Sequence, residues 1–314
     1  MIASFLESFF SVALQVAILF LMIGMGAVCK FSKLLSDEAV KGLNNLELFV
    51  VTPCLLVMSF QREYSPEQLK VIGICALAGV FFHIVSIVLA HALLHDKDAA
   101  RQAVLRFSTV FTNAGFMSLP LQYALLGQDG VFCGAVVVGI FQFLVWTYGV
   151  WLMGGSSSDF SLRHMFLNPG VCGIVIAIIL FVARITLPKF VATPLNYMAG
   201  LNTPVAMLII GYHLAASKFG AALTDPRALA TIGLRLVVSP LILLAALWFC
   251  GLRDHTIFVA ITVAASAPVA AIATIFSVRY GHKPQLSVEL VSISTLLSVI
   301  TMPLVVGLAD YLTK

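Results

Sequence analysis

Long apolar runs separated by short polar stretches make up most of the chain, as in residues 12–29, 72–94 and 241–250. An α-helix needs about 20 mostly apolar residues to cross the hydrocarbon core of a bilayer. The polar breaks give ten segments near that length, at residues 5–29, 38–60, 69–94, 101–126, 130–153, 166–184, 188–216, 227–250, 254–280 and 285–312. The first segment lacks a basic start and a small-residue cleavage motif, so we expect a retained helix rather than a signal peptide. The pattern predicts an all-α membrane protein with ten transmembrane helices.

The ten segments divide into two halves of five. The longest polar interruption, residues 154–165, predicts a linker between a first repeat, residues 1–153, and a second repeat, residues 166–314. Prolines recur at matching places: Pro53 in the second segment with Pro204 in the seventh, and Pro120 in the fourth with Pro268 in the ninth. Because five is an odd number of crossings, the second repeat enters the membrane from the opposite side. Inverted repeats with helices interrupted at matching places are typical of secondary transporters.

The composition agrees with a membrane protein. Hydrophobic residues make up 61% of the chain and charged residues 10%, whereas an ordinary soluble domain has about 25% charged residues. We therefore expect the lipid bilayer to cover much of the surface. The formal net charge is +4, but the basic residues are scattered through short loops and form no patch with aromatic residues. This distribution excludes a nucleic-acid partner.

Lysine and arginine are unevenly divided between the two predicted sides of the membrane. The connections after odd-numbered segments, with their flanks, contain Lys30, Lys33, Lys41, Lys97, Arg101, Arg163, Lys218, Arg227, Arg279 and Lys283. The opposite side contains Arg62, Lys70, Arg184, Lys189, Arg253 and Lys314. Because cytoplasmic loops are enriched in basic residues, this asymmetry places both termini outside the cytoplasm.

The matched prolines of the fourth and ninth segments predict a binding site near the middle of the membrane. A proline inside a helix removes one backbone donor, so Pro120 should free the carbonyl of Phe116, and Pro268 that of Ala264. Freed backbone groups at this depth need another partner or a water-filled cavity. The alternative is that each proline only kinks its helix.

Uncharged polar side chains accompany both prolines. Amide and hydroxyl groups can bind a carboxylate without the cost of a permanently charged side chain. An interhelical hydrogen bond is the alternative for any single member of this group. The predicted binding residues are Asn113, Ser118, Pro120, Gln122, Ser266 and Pro268.

Several segments resemble the auxin efflux carrier family. TNAGFMSLPLQYALLG and APVAAIATIFSVRYG are similar to the family's two crossing helices, and NPG at residues 168–170, LRLVVSP at 234–240 and STLLSVITMPLVV resemble other parts. The resemblance covers the whole chain and is nearest to bacterial members similar to malate or malonate permeases. Bile acid:sodium symporters are related in fold.

The resemblance implies two inverted five-helix repeats in which the broken helices of spans 4 and 9 cross. It also implies a scaffold domain from spans 1, 2, 6 and 7, and a transport domain from spans 3–5 and 8–10. The family's organisation implies a homodimer that moves a small organic anion by an elevator-like displacement. Asn113, Pro120 and Pro268 match the family's crossing positions.

Ionisable residues within the apolar segments are further functional candidates. Glu47, His213 and Glu289 are candidates for proton coupling, although packing or a water-facing position is the alternative for each. Arg235 is expected to cap a helix or to extend toward the membrane surface. The six cysteines and seven histidines show no metal-ligand spacing, so no metal or cofactor is expected.

Common catalytic motifs of hydrolases, metalloproteases and nucleotide-binding proteins are absent from the sequence, as is a recognisable channel selectivity filter. These observations favour a secondary transporter of the cytoplasmic membrane that carries a small carboxylate. A sodium-coupled organic anion symporter is the alternative within transport, although no acidic residue adjoins the crossing prolines. An intramembrane enzyme or a receptor is the alternative from another class.

Overall fold

The computed structural model describes residues 2–154, 168–217 and 220–314. Eleven helices account for most of them: α1 Ile2–Phe31, α2 Asp37–Ser59, α3 Pro66–Leu93, α4 Ala99–Val110, α5 Ala114–Gly154, α6 Pro169–Val182, α7 Lys189–Ala216, α8 Pro226–Phe249, α9 His255–Ser266, α10 Ile272–Arg279 and α11 Pro284–Thr313. Most of the predicted linker lies outside the described residues, as do Arg163 and Lys218 of the basic-residue distribution. The described residues contain no β-strand, and the only pairing of that kind is an isolated bridge.

Within the described residues, seven helices are long and apolar enough to cross a membrane: α1, α2, α3, α5, α7, α8 and α11. Helices α6 and α9 are shorter and also apolar. The chain is therefore a multi-pass, all-helical membrane protein, as its apolar runs predict.

Helix α5 reverses direction at Gly127. The φ angle of this residue is 62°, in the left-handed region that favours glycine. A Cβ atom added to Gly134 would overlap the side chain of Gln122. These two positions would lie about 18 Å apart along a straight helix. The contact therefore shows that α5 folds back into two limbs, residues 114–126 and 128–154.

Three prolines lie inside helices directly after a widened, π-helical turn: Pro53 in α2, Pro120 in α5 and Pro240 in α8. In each case the residue before the proline donates its N–H to the carbonyl five residues earlier. The wider turn accommodates the proline ring and its missing N–H. The helix therefore continues through Pro120, and the chain is unwound at residues 111–113 instead. The prediction that Pro120 itself marks the interruption is wrong.

Helix α1 packs against α7 and α11 with glycines at the contacts. A Cβ atom on Gly211 would overlap the backbone carbonyl of Ile23, and one on Gly26 would overlap that of Leu208. A Cβ atom on Gly307 would lie 2.9 Å from the Cα atom of Phe9. Small residues allow such close approach of helix backbones within a membrane.

One end of the bundle, which we name the ion-network end, joins three connections by charged groups. Asp96, after α3, accepts bonds from Arg101 at 2.9 Å and from Arg227 at 3.0 Å. Arg101 also bonds Asp225 before α8, and Lys283 before α11 lies 2.9 Å from Asp98. The backbone N–H of Asp98 and the two arginines lower the pKa of Asp96, so its carboxylate is charged at neutral pH.

The opposite end, the Arg62 end, contains the α2–α3 and α6–α7 connections and the reversal of α5. Arg62 pairs with Asp129 at 2.9 Å and lies over the ring of Phe132. The side chain of Gln61 accepts a bond from the N–H of Leu187 at 2.8 Å. The α2–α3 connection, the α3–α4 connection and the reversal of α5 thus lie at alternate ends, as do the α6–α7 and α7–α8 connections.

Candidate functional site

The unwound residues 111–113, between α4 and α5, cross the unwound residues 267–271, between α9 and α10, and pair with them. The N–H of Asn113 donates to the carbonyl of Pro268 at 2.8 Å, and the N–H of Ala270 donates to the carbonyl of Phe111 at 3.0 Å. These bonds flank an antiparallel bridge between Thr112 and Val269. Backbone groups that the interruptions release from the helices are thereby satisfied by the partner segment, as an apolar environment requires.

Ser294 of α11 supports this crossing from the side. Its Oγ accepts a bond from the N–H of Val269 at 3.1 Å and donates to the carbonyl of Val291 at 3.0 Å. Ser294 thereby joins α11 to the unwound backbone.

Four helix ends meet at the crossing, and Arg235 caps two of them. Its guanidinium is fully buried, donates to the carbonyl of Thr109 at 3.1 Å and also donates to the carbonyl of Ala265. These carbonyls belong to the C-terminal turns of α4 and α9, where the helix dipole is negative. The guanidinium also lies 4.9 Å from the ring centroid of Phe82. Capping, one of the two roles expected from the sequence, is the role that the structure shows.

The remaining two ends are the N-termini of α5 and α10, which carry the positive ends of their helix dipoles. Their first turns, at Phe116 and Thr274, contribute to the wall of a cavity. No aspartate or glutamate lines this cavity among the described residues. Because Arg235 offsets the negative ends of α4 and α9, the two N-terminal ends that face the cavity favour an anion.

The cavity has a volume of about 560 Å³, within the range of sites that enclose small organic molecules. We name it the central cavity. One wall is formed by α2 and α7, and the other by the crossing, α10 and α11. The lining residues are Lys41, Asn44, Asn45, Leu48, Asn113, Phe116, Ile209, Ile210, His213, Leu214, Ala216, Ser217, Ala271, Thr274, Ile275, Val288, Val291, Ser292 and Thr295. Two smaller cavities, of about 280 and 310 Å³, lie at the Arg62 end and contain none of the predicted site residues.

Asn113 is the one predicted binding residue that lines the central cavity. The other five do not line the cavity. The carbonyl of Pro268 accepts the bond from Asn113, and Ser266 donates to the carbonyl of Thr262 within its own helix. Gln122 donates to the carbonyl of Ala260, Ser118 is buried, and Pro120 follows the π-helical turn. The Oγ of Ser118 and the Oε1 of Gln122 have no hydrogen-bond partner in the described part of the chain. These polar groups surround the crossing without facing the cavity.

The three candidates for proton coupling occupy different places. His213 lines the central cavity, and its Nε2 lies 3.4 Å from the side-chain nitrogen of Asn44. Glu47 is buried between α2 and α7, where it accepts a bond from Asn202 at 2.6 Å. Glu289 accepts a bond from the backbone N–H of Ala222 at 2.8 Å. Of these three side chains, only that of His213 lines the central cavity.

The polar residues of α2 that line the cavity are not among the predicted binding residues. Lys41, Asn44, Asn45 and Leu48 follow the i, i+3, i+4, i+7 spacing of one helix face. This spacing indicates that the four residues share one face of the helix. It could not show what the face contacts, because the opposite wall comes from helices far away in the sequence.

The apolar helices, the interrupted pair and the central cavity are the features of a membrane transport protein. A model of the family described as membrane transport protein matches residues 11–162 and 156–306. The chain therefore belongs to this auxin efflux carrier-like membrane transport family, which confirms the resemblance found in its crossing segments.

Two archaeal relatives are also described as transporters. An uncharacterized transporter of Methanothermobacter thermautotrophicus is 25% identical over 288 residues, which cover 89% of this chain and 92% of the relative. An uncharacterized transporter of Methanocaldococcus jannaschii is 26% identical over 219 residues, which cover 65% of this chain and 70% of the relative.

Proposed function

We propose that this protein is a secondary transporter of the cytoplasmic membrane that moves a small carboxylate, for example malate or malonate. The observation that carries the proposal is the central cavity, because it lies against the N-terminal turns of α5 and α10 and has no acidic side chain in its described wall. A carboxylate there would meet Asn113 and the positive ends of two helix dipoles. No catalytic role is assigned to any residue.

Ten membrane crossings in two inverted repeats are part of the proposal. The reversal of α5 at Gly127 supports two crossings within that helix. Helices α4 and α9 supply the first halves of the two interrupted crossings, and α6 supplies one shorter crossing. The connections at alternate ends support the same count. We further propose that the matching interruptions at residues 111–113 and 267–270 reflect the inverted repeat.

An elevator-like movement of a transport domain against a scaffold is proposed for the mechanism. The two walls of the central cavity support this division, since α2 and α7 belong to the proposed scaffold and the crossing and α11 to the proposed transport domain. The ion network joins the α3–α4 and α10–α11 connections to the start of α8, and α3, α4, α8, α10 and α11 all belong to the proposed transport domain. Lys30, Asp37 and Tyr212 bond to one another within the scaffold. The family resemblance supports a homodimer.

Replacing Asn113 with alanine tests the binding site directly. We expect the affinity of purified protein for its carboxylate to fall about tenfold, since a hydrogen bond to a charged ligand is worth roughly 1.5–3 kcal/mol. A panel of labelled carboxylates would first identify the ligand by uptake into liposomes, and calorimetry would then measure its dissociation constant. Asn196→Ala, at an exposed asparagine near the Arg62 end, is the matched control. Parent-like affinity in folded Asn113→Ala protein would exclude this residue as a ligand.

The orientation of the chain can be tested by thiol labelling. We expect Ala3→Cys and Lys314→Cys, each in a cysteine-free background, to react with a membrane-impermeant reagent in intact cells. The basic-residue asymmetry is the reason, because it places both termini outside the cytoplasm. Reaction at both positions only after permeabilisation would reverse the assignment.

Proton coupling is proposed to run through His213. Imidazole is the side chain whose ordinary pKa lies nearest physiological pH, and this one lines the cavity. We expect His213→Gln to flatten the dependence of uptake on pH, whereas Glu47→Gln and Glu289→Gln keep the parent profile. An unchanged profile in all three variants would exclude coupling through these residues.

A further inference from the structure

Lys41 is the one lysine or arginine in the described wall of the central cavity. It lies one turn inside the start of α2 and shares a helix face with Asn44, Asn45 and Leu48, all of which line the same wall. Seven residues separate Lys41 from Leu48, which corresponds to roughly 10 Å along the helix. The polar face thus extends along the cavity wall from the first turns of α2 toward the middle of that helix. A lysine side chain can extend its ammonium group along such a face.

No carboxylate of the described residues forms an ion pair with the ammonium group of Lys41, and Asp37, one turn earlier on α2, acts on it only through the weaker attraction of a nearby charge. Among the described residues, Lys41 forms no ion pair or side-chain hydrogen bond. Asp37, one turn earlier on α2, accepts bonds from Lys30 at 3.0 Å and from Tyr212 at 2.8 Å. A lysine in a cavity wall without acidic residues has its charge available for a ligand.

Two anion-binding features therefore lie on opposite walls of one cavity. Asn113 and the N-terminal turn of α5 lie on the crossing side, and Lys41 lies on the α2 side. A ligand with a single carboxylate can occupy the first feature and leaves the lysine without a counter-ion. A ligand with two acidic groups can engage both walls at once.

We propose that Lys41 binds a second acidic group of the transported anion and makes the protein selective for dicarboxylates over monocarboxylates. This inference rests on the proposed function, because it assumes that a carboxylate binds at Asn113. It adds the residue that binds the second acidic group of the ligand. It also places that residue on the α2 wall, which belongs to the proposed scaffold.

Matched pairs of acids test the proposal. Dissociation constants for malonate and propionate, succinate and butyrate, and glutarate and pentanoate would be measured by calorimetry on the purified full chain at constant pH and ionic strength. We expect the parent to bind at least one dicarboxylate about fivefold or more tightly than its monocarboxylate partner. Lys41→Met should remove this preference, because it weakens dicarboxylate binding more than monocarboxylate binding, and Lys41→Arg should retain it.

Lys33→Met is the matched control, because Lys33 is an exposed lysine of the α1–α2 connection that does not line the cavity. Size-exclusion chromatography would verify that each variant is folded. Equal affinity of the parent for both members of every pair, or a preference that survives Lys41→Met, would overturn the inference and leave the proposed function intact. Absence of binding by any carboxylate would overturn both.

Discussion

Replacing Arg235 with methionine should destabilise the protein and reduce substrate affinity by at least about tenfold. The guanidinium satisfies the carbonyls of Thr109 and Ala265, and each buried carbonyl left without a partner costs about 1–3 kcal/mol. Methionine recovers part of this cost, because it removes a buried charge. It cannot hold the ends of α4 and α9 together, and it removes positive charge from the crossing.

Two measurements would compare the Arg235 variants with the parent: thermal unfolding in detergent and ligand affinity. Arg235→Lys keeps the charge, but its single ammonium group lacks the planar fork that reaches both carbonyls, so an intermediate effect is expected. Arg106→Met is the matched control, because Arg106 bonds one carbonyl, that of Leu94, outside the crossing. A methionine variant at position 235 with parent-like stability and affinity would show that the crossing does not depend on this cap.

Replacing Gly211 with alanine should also destabilise the protein strongly. The Cβ atom of Gly211→Ala would overlap the backbone carbonyl oxygen of Ile23. A change of rotamer cannot relieve this clash, because the obstacle is the backbone of α1. We expect α1 and α7 to separate, at a cost of about 1–3 kcal/mol or more.

Gly24 provides the control for this substitution. A Cβ atom at Gly24, on the same helix α1, would have no other atom within 4 Å. Gly24→Ala should therefore leave the unfolding temperature near the parent value, whereas Gly211→Ala should lower it and reduce the yield of monodisperse protein. Equal unfolding temperatures for the two variants would contradict the close approach of α1 and α7.

The sequence predicts the helical segments and the region of the crossing, but it does not locate the unwound residues. Proline was the visible signal for an interruption, and Pro120 lies seven residues after Asn113 in a continuous helix. The chain unwinds at residues 111–113, where its backbone pairs with residues 267–270. Pairing between distant segments depends on the tertiary structure, so local propensity does not reveal it.

The roles of individual polar residues were predictable to different degrees. Asn113 could be selected from the sequence because it adjoins a proline-containing segment at the expected depth. Arg235 could not be assigned one role, because its partners come from two other helices. Lys41 was counted only as a loop charge, since the cavity beside it exists only when α2 and α7 approach the crossing.

The bridge between Thr112 and Val269 has an evolutionary consequence. Its hydrogen bonds join backbone atoms only, so they do not depend on which side chains occupy these positions. Side chains around the crossing can therefore be exchanged, and ligand preference altered, while the two interrupted helices remain joined. Relatives that share about a quarter of their aligned residues with this chain can therefore keep the same crossing although most of their side chains differ.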